Sequence, residues 1–400
     1  MNKHKFWSIC ILTGTILALI TSCVPQQSIQ SEDEKAVDVS IAEEKEPIRI
    51  GVAASFSGPI AYVGEGYMMG ATLALEELGG KIAGYPIQFY TADNACNPEQ
   101  ATSAIRKLVD VDEVHLILGS GCSSCTLASM PLLEENKVAQ ITGGSTAPEI
   151  SEMAGIGGNI WEFRVNASST VMAEAYAPYI AKNEKSVFFM AFNDDYGRGA
   201  VDAIKPLLQA EGVEILGEEY FERGTSDVRP ILLKIKEANP SALLLTTTES
   251  DAITILRQFK ELGLSIKIYG YNSTIVTGLF TEMTPDEPGL NEGILEITWW
   301  AQGMTPEMEE AFLSRWGTEA SPHRAIYYFI VRYVVKEAIE LAAQRGEITR
   351  ESLRDALNDL SIENTPIGPL EFDDNNQAHH WLPVYTMKDG VVEVIEILKP

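Results

Sequence analysis

Three loops rich in serine, threonine and glycine hold the residues of this chain best suited to bind an anion. Gly119–Thr126 follows the apolar run Val114–Leu118 and opens a helical pattern. Its glycines permit close approach of the backbone, and hydroxyl and N–H groups at a helix N-terminus suit a carboxylate. A helix cap without a ligand is the alternative interpretation. Gly143–Glu149 and Ser55–Gly58 follow apolar runs in the same way.

These loops should lie close together if the apolar runs before them are strands of one sheet. In open parallel sheets, ligands bind outside the carboxyl ends of the strands, where such loops meet. The combination of three loops is therefore more specific than any one of them. The hydroxyl-bearing candidates are Ser57, Ser123, Ser124, Ser145 and Thr146.

Short apolar runs alternate with helical patterns from residue 48 onward, which predicts parallel sheets with helices on both sides. The rhythm comes in two blocks, each of the size of one domain. Residues 299–400 hold one long helix, Ala325–Gln344, and are too thin for a third core. We therefore predict an α/β fold of two lobes joined by crossing hinge segments. The N-terminal lobe is 48–165 plus about 299–382, and the C-terminal lobe is 166–298 plus about 383–400.

The start of the chain is typical of a secretory signal. Two lysines precede the apolar stretch Phe6–Ile20, which is shorter than the roughly 20 residues that a membrane-spanning helix needs. Cys23 follows two small residues and resembles a bacterial lipobox, which implies cleavage before Cys23 and a diacylglycerol on its sulfur. An ordinary signal peptide with an incidental cysteine is the alternative. We predict a signal peptide at 1–22 and an acidic, flexible tether at 23–47.

The charge of the chain argues against nucleic acid and anionic lipid headgroups as partners. The sequence has 57 acidic and 30 basic residues, and two of the lysines lie in the predicted signal peptide. The predicted mature chain thus keeps 57 acids against 28 bases, a net charge of −29. Solubility explains most of this charge.

Five cysteines divide unevenly between possible roles. Cys96, Cys122 and Cys125 remain once Cys10 leaves with the signal peptide and Cys23 takes lipid. In an oxidising compartment the simplest arrangement is one pair and one leftover thiol. The C-x-x-C spacing of Cys122 and Cys125 also allows a thioredoxin-like redox role. No second pair completes a common zinc pattern, so we predict no metal site.

Six stretches of the chain together form a recognisable pattern: Ala54–Pro59, Asp93–Ala101, Cys122–Ser124, Ser145–Glu149, Asn193–Gly197 and Leu256–Gln258. On these stretches the chain resembles the periplasmic leucine/isoleucine/valine-binding protein family, the type I solute-binding proteins of ABC transporters. The resemblance runs in family order across about residues 48–398. It implies a two-lobed fold, a small-molecule ligand in the cleft, permease subunits as partners, no cofactor and no enzymatic activity.

The resemblance also implies roles for particular residues. Cys96 and Cys122 match the family's disulfide, and Ser123 matches a serine that binds the ligand carboxylate. Ser145 and Thr146 match positions that hold the amino-acid head group. Tyr196 matches a tyrosine that closes on the ligand from the second lobe.

Two positions depart from the family pattern. The family's acidic residue that pairs with the α-ammonium aligns with Asn272, and a family tyrosine aligns with Thr248. A neutral asparagine cannot pair with an ammonium charge, so affinity for that group should fall unless Glu249 or Asp251 substitutes. The implied ligand is then an amide, a urea-like compound or a carboxylate without a free amine, and branched-chain specificity is in doubt.

Two aromatic residues and one histidine outside these motifs are further candidates. Trp299 and Trp300 lie where the chain should cross between the lobes, so one of them could line the cleft or pack on a lobe. His323 precedes the long helix, where a role at the helix start is favoured over one at the mouth of the cleft.

Enzyme motifs are missing from the sequence, which has no nucleophile elbow, dinucleotide-binding loop or Walker loop. A hydrolase using Cys125 stays a remote alternative. We predict a monomeric, lipid-anchored solute-binding protein of an ABC importer that contacts the bilayer through Cys23. A ligand-sensing lipoprotein of the same fold, not coupled to transport, is the main alternative.

Overall fold

The computed structural model describes residues 45–271 and 273–399, which contain two large sheets, each with helices on both faces, and one separate pair of short strands. Cys23, the signal peptide and nearly all of the tether lie outside the described residues, as does Asn272. Two disconnected stretches of chain build each lobe. The first apolar core draws on residues 48–165 and 299–378, and the second lobe's two core clusters draw almost entirely on 167–297 and 382–398.

The first sheet has six strands in the order β2-β3-β1-β4-β5-β6. All neighbours are parallel except the short edge strand β2. Every residue of β4 and β5 is buried, as expected for strands covered by helices on both faces. The bounds are β1 (Ile48–Ala54), β2 (Lys81–Ile82), β3 (Tyr85–Asp93), β4 (Leu116–Gly119), β5 (Ala139–Thr142) and β6 (Glu162–Arg164).

The second sheet has seven strands in the order β15-β14-β11-β10-β9-β7-β8. Strands β7 to β11 are parallel, whereas β14 pairs antiparallel with both β11 and β15. The bounds are β7 (Ser186–Phe192), β8 (Glu214–Phe221), β9 (Ala242–Thr246), β10 (Lys267–Tyr271), β11 (Leu295–Ile297), β14 (Leu382–Lys388) and β15 (Val391–Leu398), while β12 (Ser361–Ile362) and β13 (Leu370–Glu371) form a separate antiparallel pair.

Helices cover both faces of each sheet, and two of them contain π-helical turns, at Lys107–Val111 after α2 and at Ile330–Val335 between α11 and α12. The bounds are α1 (Ala61–Glu77), α2 (Pro98–Arg106), α3 (Ser123–Asn136), α4 (Pro148–Met153), α5 (Ser169–Asn183), α6 (Asp195–Ala210), α7 (Arg229–Ala238), α8 (Glu249–Glu261), α9 (Gly278–Met283), α10 (Pro306–Trp316), α11 (Pro322–Phe329), α12 (Lys336–Arg345) and α13 (Arg350–Asn358).

The chain passes between the two cores three times: after β6, after β11 and before β14. Arg164, at the end of β6, is fully buried beside the first crossing. Its guanidinium donates to the Ala147 carbonyl oxygen at 2.7 Å and to Gln377 Oε1 at 2.6 Å. The amide of Gln377 in turn donates to the Asn166 carbonyl oxygen at 2.9 Å, so this cluster fixes the ends of two crossing segments.

The predicted α/β class and two-lobed arrangement are confirmed. The sheets are not purely parallel, because β2, β14 and β15 add antiparallel edges. The carboxyl ends of the parallel strands place the loops after β1, β4 and β5 at one edge of the first sheet, and those after β7 to β10 at the matching edge of the second.

Candidate functional site

A cavity of about 60 Å³ lies between the carboxyl ends of the two sheets. Both lobes contribute to its wall. The lining residues include Ile60, Val63, Gly121, Cys122, Ser123, Gly143, Gly144, Thr146, Asn166, Tyr196, Arg223, Thr248, Ser273, Thr274, Thr298, Trp299, Pro322, His323 and Ile326.

Ser123 provides the best-defined polar group on the first-lobe wall. It is the first residue of α3, and its hydroxyl oxygen accepts hydrogen bonds from the N–H groups of Thr146 and Ala147, each at 3.2 Å. A hydroxyl has two acceptor positions and one donor, so these two bonds leave its O–H available. The free donor and the positive end of the helix dipole both favour an anionic group in the cavity.

Close packing behind this wall explains two of the glycines in the predicted loops. Gly121 has φ +91, a conformation that favours glycine, and the Tyr67 ring lies against it. A side chain at Gly144 would collide with the Tyr67 hydroxyl and with the backbone of Gly121. The glycines therefore let the loops after β4 and β5 approach each other.

Cys96 and Cys122 form a disulfide, the pair that the family resemblance implies, with their Cα atoms 5.7 Å apart. It connects the loop after β3 to the residue that precedes α3. Cys125 is a buried free thiol, and burial raises its pKa to about 12. A buried thiol of this kind is a poor nucleophile, and Cys122 is not available as its redox partner. Both observations count against the thioredoxin-like and hydrolase alternatives.

The structure brings only some of the predicted site residues to the cavity. Ser123, Thr146, Tyr196 and Thr248 line it. Ser57 is exposed and hydrogen-bonds Asp93, and Ser124 hydrogen-bonds Cys125 instead. The Ser145 hydroxyl is buried 2.8 Å from the Thr126 hydroxyl, behind the wall. Asn272 lies outside the described residues.

Arg223, which the sequence analysis did not single out, supplies a positive charge on the second-lobe wall. It lies in the loop after β8, with its guanidinium 4.0 Å from the Phe192 ring centroid and 5.6 Å from that of Tyr196. Its Nη2 is 2.8 Å from Oδ2 of Asp194, whose other oxygen caps the N-terminus of α6. The ion pair and the aromatic contacts hold this guanidinium in place.

A fully buried carboxylate, Glu249, lies directly behind the wall at the start of α8. Its Oε2 accepts hydrogen bonds from Tyr62 at 3.0 Å and Thr274 at 2.7 Å, and lies 3.4 Å from His323 Nε2. Burial alone would raise the pKa of Glu249, but the nearby His323 and the hydrogen bonds outweigh it and lower the pKa below its ordinary 4.5. Tyr62 and His323 belong to the first lobe, so this acid connects the two lobes across the cleft.

His323 and Trp299 both line the cavity. His323 lies at the start of α11, which is the favoured interpretation of its sequence position, and its side chain also lines the cleft. Trp300 is fully buried and its indole N–H donates to Thr305 Oγ1 at 2.9 Å, so of the two tryptophans Trp299 is the one that lines the cleft.

Within the part of the chain that the structure describes, no cluster of histidine, cysteine, aspartate and glutamate side chains is arranged to hold a metal ion. In that same part, none of the helices combines the length and the apolar character that crossing a bilayer requires.

A family profile for periplasmic binding proteins matches residues 47–391. The chain belongs to this family. Its resemblance to leucine/isoleucine/valine-binding proteins is confirmed by curated relatives of this periplasmic binding protein. The leucine-, isoleucine-, valine-, threonine- and alanine-binding protein of Pseudomonas aeruginosa is 25% identical over 338 residues, which are 84% of this chain and 88% of that protein.

A second relative, an amino acid binding protein of the same organism, is 31% identical to this periplasmic binding protein over 248 residues. The match covers 62% of this chain and 65% of that protein, slightly less than two thirds of the relative.

Solved structures show the same fold as this periplasmic binding protein. A leucine-binding protein of Thermotoga maritima has a TM-score of 0.77 at 23% identity, covering 88% of this chain and 99% of the other. A solute-binding protein of an ABC transporter from Rhodopseudomonas palustris, in complex with benzoate, has a TM-score of 0.79 at 16% identity, covering 88% and 97%. The family is one of periplasmic, and hence extracytoplasmic, binding proteins.

Proposed function

We propose that this periplasmic binding protein is the solute-binding subunit of an ABC importer and binds an amino acid, or a closely related small polar molecule, between its lobes. The observation that carries the proposal is the cavity at the facing carboxyl ends of the two sheets, lined by polar groups of both lobes. Closure by rotation about the crossing segments would enclose the ligand and present a surface to the permease.

The wall of the cavity has a polar part that suits the head group of such a ligand and an apolar part that suits its side chain. The Ser123 O–H and the start of α3 suit a carboxylate. Ile60, Val63 and Ile326 form an apolar part of the lining that suits a short hydrocarbon side chain. Relatives point to the same class, because one is named for leucine, isoleucine, valine, threonine and alanine.

A thermal-shift screen of the purified protein tests this proposal. The panel contains the amino acids, their amides, urea, short carboxylates and benzoate. A ligand at about 100 times its Kd adds about 2.7 kcal/mol to the free energy of unfolding, which is readily seen as a higher melting temperature. We expect small amino acids to raise it most. A response to benzoate or urea alone, or to no compound of the panel, would contradict the proposed ligand class.

We further propose that Cys23 carries a lipid anchor, because it follows a basic start, an apolar stretch and two small residues. Cys23→Ala should move the protein from the membrane to the soluble fraction, whereas Cys10→Ala, a cysteine within the signal peptide, should not. Membrane retention of Cys23→Ala would argue for an ordinary signal peptide.

The remaining features of the proposal are that the protein is a monomer and does not turn its ligand over. Size-exclusion chromatography coupled to light scattering tests the first. Mass spectrometry of a stoichiometric ligand after prolonged incubation tests the second, and a changed mass would identify an enzyme.

A further inference from the structure

Arg223 is the only side chain with a permanent charge among the described residues that line the cavity. It belongs to the second lobe, and its Nε and Nη2 both lie 2.8 Å from Oδ2 of Asp194. A guanidinium has five N–H groups, so this ion pair uses only part of them. Within the part of the chain that the structure describes, no group accepts a hydrogen bond from Nη1. The guanidinium therefore has donors left for a ligand.

The guanidinium of Arg223 lies near the start of α3 in the first lobe. Arg223 and Ser123 line the same cavity, α3 contacts α6 across the cleft, and Asp194 caps α6. Burial raises the pKa of the Cys125 thiol, in the first turn of α3, and the charge of Arg223 partly opposes this shift. A cation of one lobe and the positive end of a helix dipole of the other therefore converge on one cavity. An anion between them would stabilise both.

We propose that Arg223 binds the acid group of the ligand from the second lobe while Ser123 and the start of α3 bind it from the first, so that the anion itself holds the lobes together. The inference rests on the proposed function and narrows its ligands to acids. None of the residues to which the resemblance assigns a role is positively charged, so Arg223 adds to that pattern.

The position of Arg223 couples the charge of the ligand to the closure of the lobes. A ligand shifts an equilibrium between an open and a closed form only through contacts that differ between the two forms. Arg223 and Ser123 belong to different lobes, so one acid group can contact both only when the lobes are close. An acid should therefore close the protein, whereas the matching amide, which has no negative charge, should not.

Calorimetry with an amino acid and its amide tests the proposal, because the amide lacks the negative charge and keeps the rest of the molecule. L-alanine and L-alaninamide form the first pair, and the matching pair follows for any amino acid that responds in the thermal-shift screen. Arg223→Gln should weaken binding of the amino acid by about 10–100-fold, the range for a hydrogen bond to a charged group. Binding of the amide should change by less than about threefold.

Two further variants serve as controls. Arg198→Gln removes an exposed arginine of the same lobe that donates to Asn193 at 2.9 Å, lies over the Tyr220 ring and does not line the cavity, so it should bind both compounds as the wild type does. Arg223→Gln leaves Asp194 without its ion pair, so a double variant adds Asp194→Asn, which can still cap α6. The double variant should show the same loss of amino-acid binding. Wild-type affinity in the double variant would show that Arg223 only neutralises Asp194, and would overturn the inference.

Small-angle X-ray scattering measures closure directly. The wild-type protein should contract with the saturating amino acid and not with the saturating amide, and Arg223→Gln should contract with neither. Equal contraction of the wild type with both compounds overturns the inference whether or not the variants fold. An affinity of Arg223→Gln for the amino acid equal to that of the wild type also overturns it, and in both cases the proposed function stands. If no amino acid of the panel binds the wild type, the proposed function itself fails. Circular dichroism melting verifies that the variants fold.

Discussion

Removal of the Cys96–Cys122 disulfide should destabilise the first lobe by an amount that depends on the number of residues between the two cysteines. The two cysteines are separated by 26 positions. For a loop of this length the chain-entropy model gives about 3.5 kcal/mol at 25 °C, because the bond restricts the unfolded chain. In a lobe of this size, that loss corresponds to a melting temperature lower by about 7–14 °C.

The assay compares the wild-type protein with a Cys96→Ser, Cys122→Ser double variant, with and without reductant. Reductant should lower the melting temperature of the wild type to that of the double variant and should leave the double variant unchanged. Cys125→Ser serves as the control and should keep the wild-type response to reductant. Peptide mapping that finds Cys96 free, or joined to Cys125, would refute the reasoning. So would an unchanged melting temperature of the wild-type protein after it has been denatured and refolded in the presence of reductant.

Three further changes test the cavity. Ser123→Ala should weaken amino-acid binding by about 1–3 kcal/mol in calorimetry, because the ligand loses a donor and two N–H groups lose their acceptor; parental affinity would show that the site is misplaced. The folded-state pKa of Glu249 is lowered, so its carboxylate stabilises the folded protein above pH 4.5, and this contribution is lost as the pH falls through the lowered pKa. The stability difference between wild type and Glu249→Gln should therefore shrink on acidification from pH 6 to 3, and a pH-independent difference would contradict that shift. Ile60→Ala should enlarge the apolar part of the lining and move the preference from alanine towards valine and leucine, and an unchanged ratio of affinities would place the side chain elsewhere.

The regular part of the fold could be predicted because its strands are apolar and its helices periodic. The mostly apolar run Ala242–Thr246, for example, forms β9, and all five of its residues are buried. The sequence pattern does not indicate β6, since its three residues include Glu162 and Arg164, two charged residues that seldom occur in a buried strand. They are tolerated there because Glu162 accepts a hydrogen bond from Gln140 at 2.8 Å and Arg164 is held by Gln377, contacts that local sequence does not reveal.

The candidate site was predicted only where a local motif contains it. The loops after β4 and β5 show their glycines and hydroxyls in sequence, and Ser123 and Thr146 do line the cavity. The sequence pattern does not show which hydroxyl groups face the cavity. Ser57 and Ser145 are therefore among the predicted site residues, although Ser57 hydrogen-bonds Asp93 and Ser145 hydrogen-bonds Thr126. The contact between Tyr62 and Glu249 joins residues 187 positions apart, and it becomes visible only when the two lobes are brought together.

Neither lobe is complete until most of the chain has been made, because the first core includes residues up to 378 and the second sheet includes β14 and β15. β11 acquires its second neighbour only when β14 arrives, after the chain has returned through α10 to α13 in the other lobe. A chain truncated before residue 382 would leave β11 as an unpaired edge, which is a template for pairing with another copy. We therefore expect shortened forms to aggregate rather than to persist as single lobes. Because each lobe is built from an early and a late segment of the chain, the two lobes should fold together once synthesis is nearly complete.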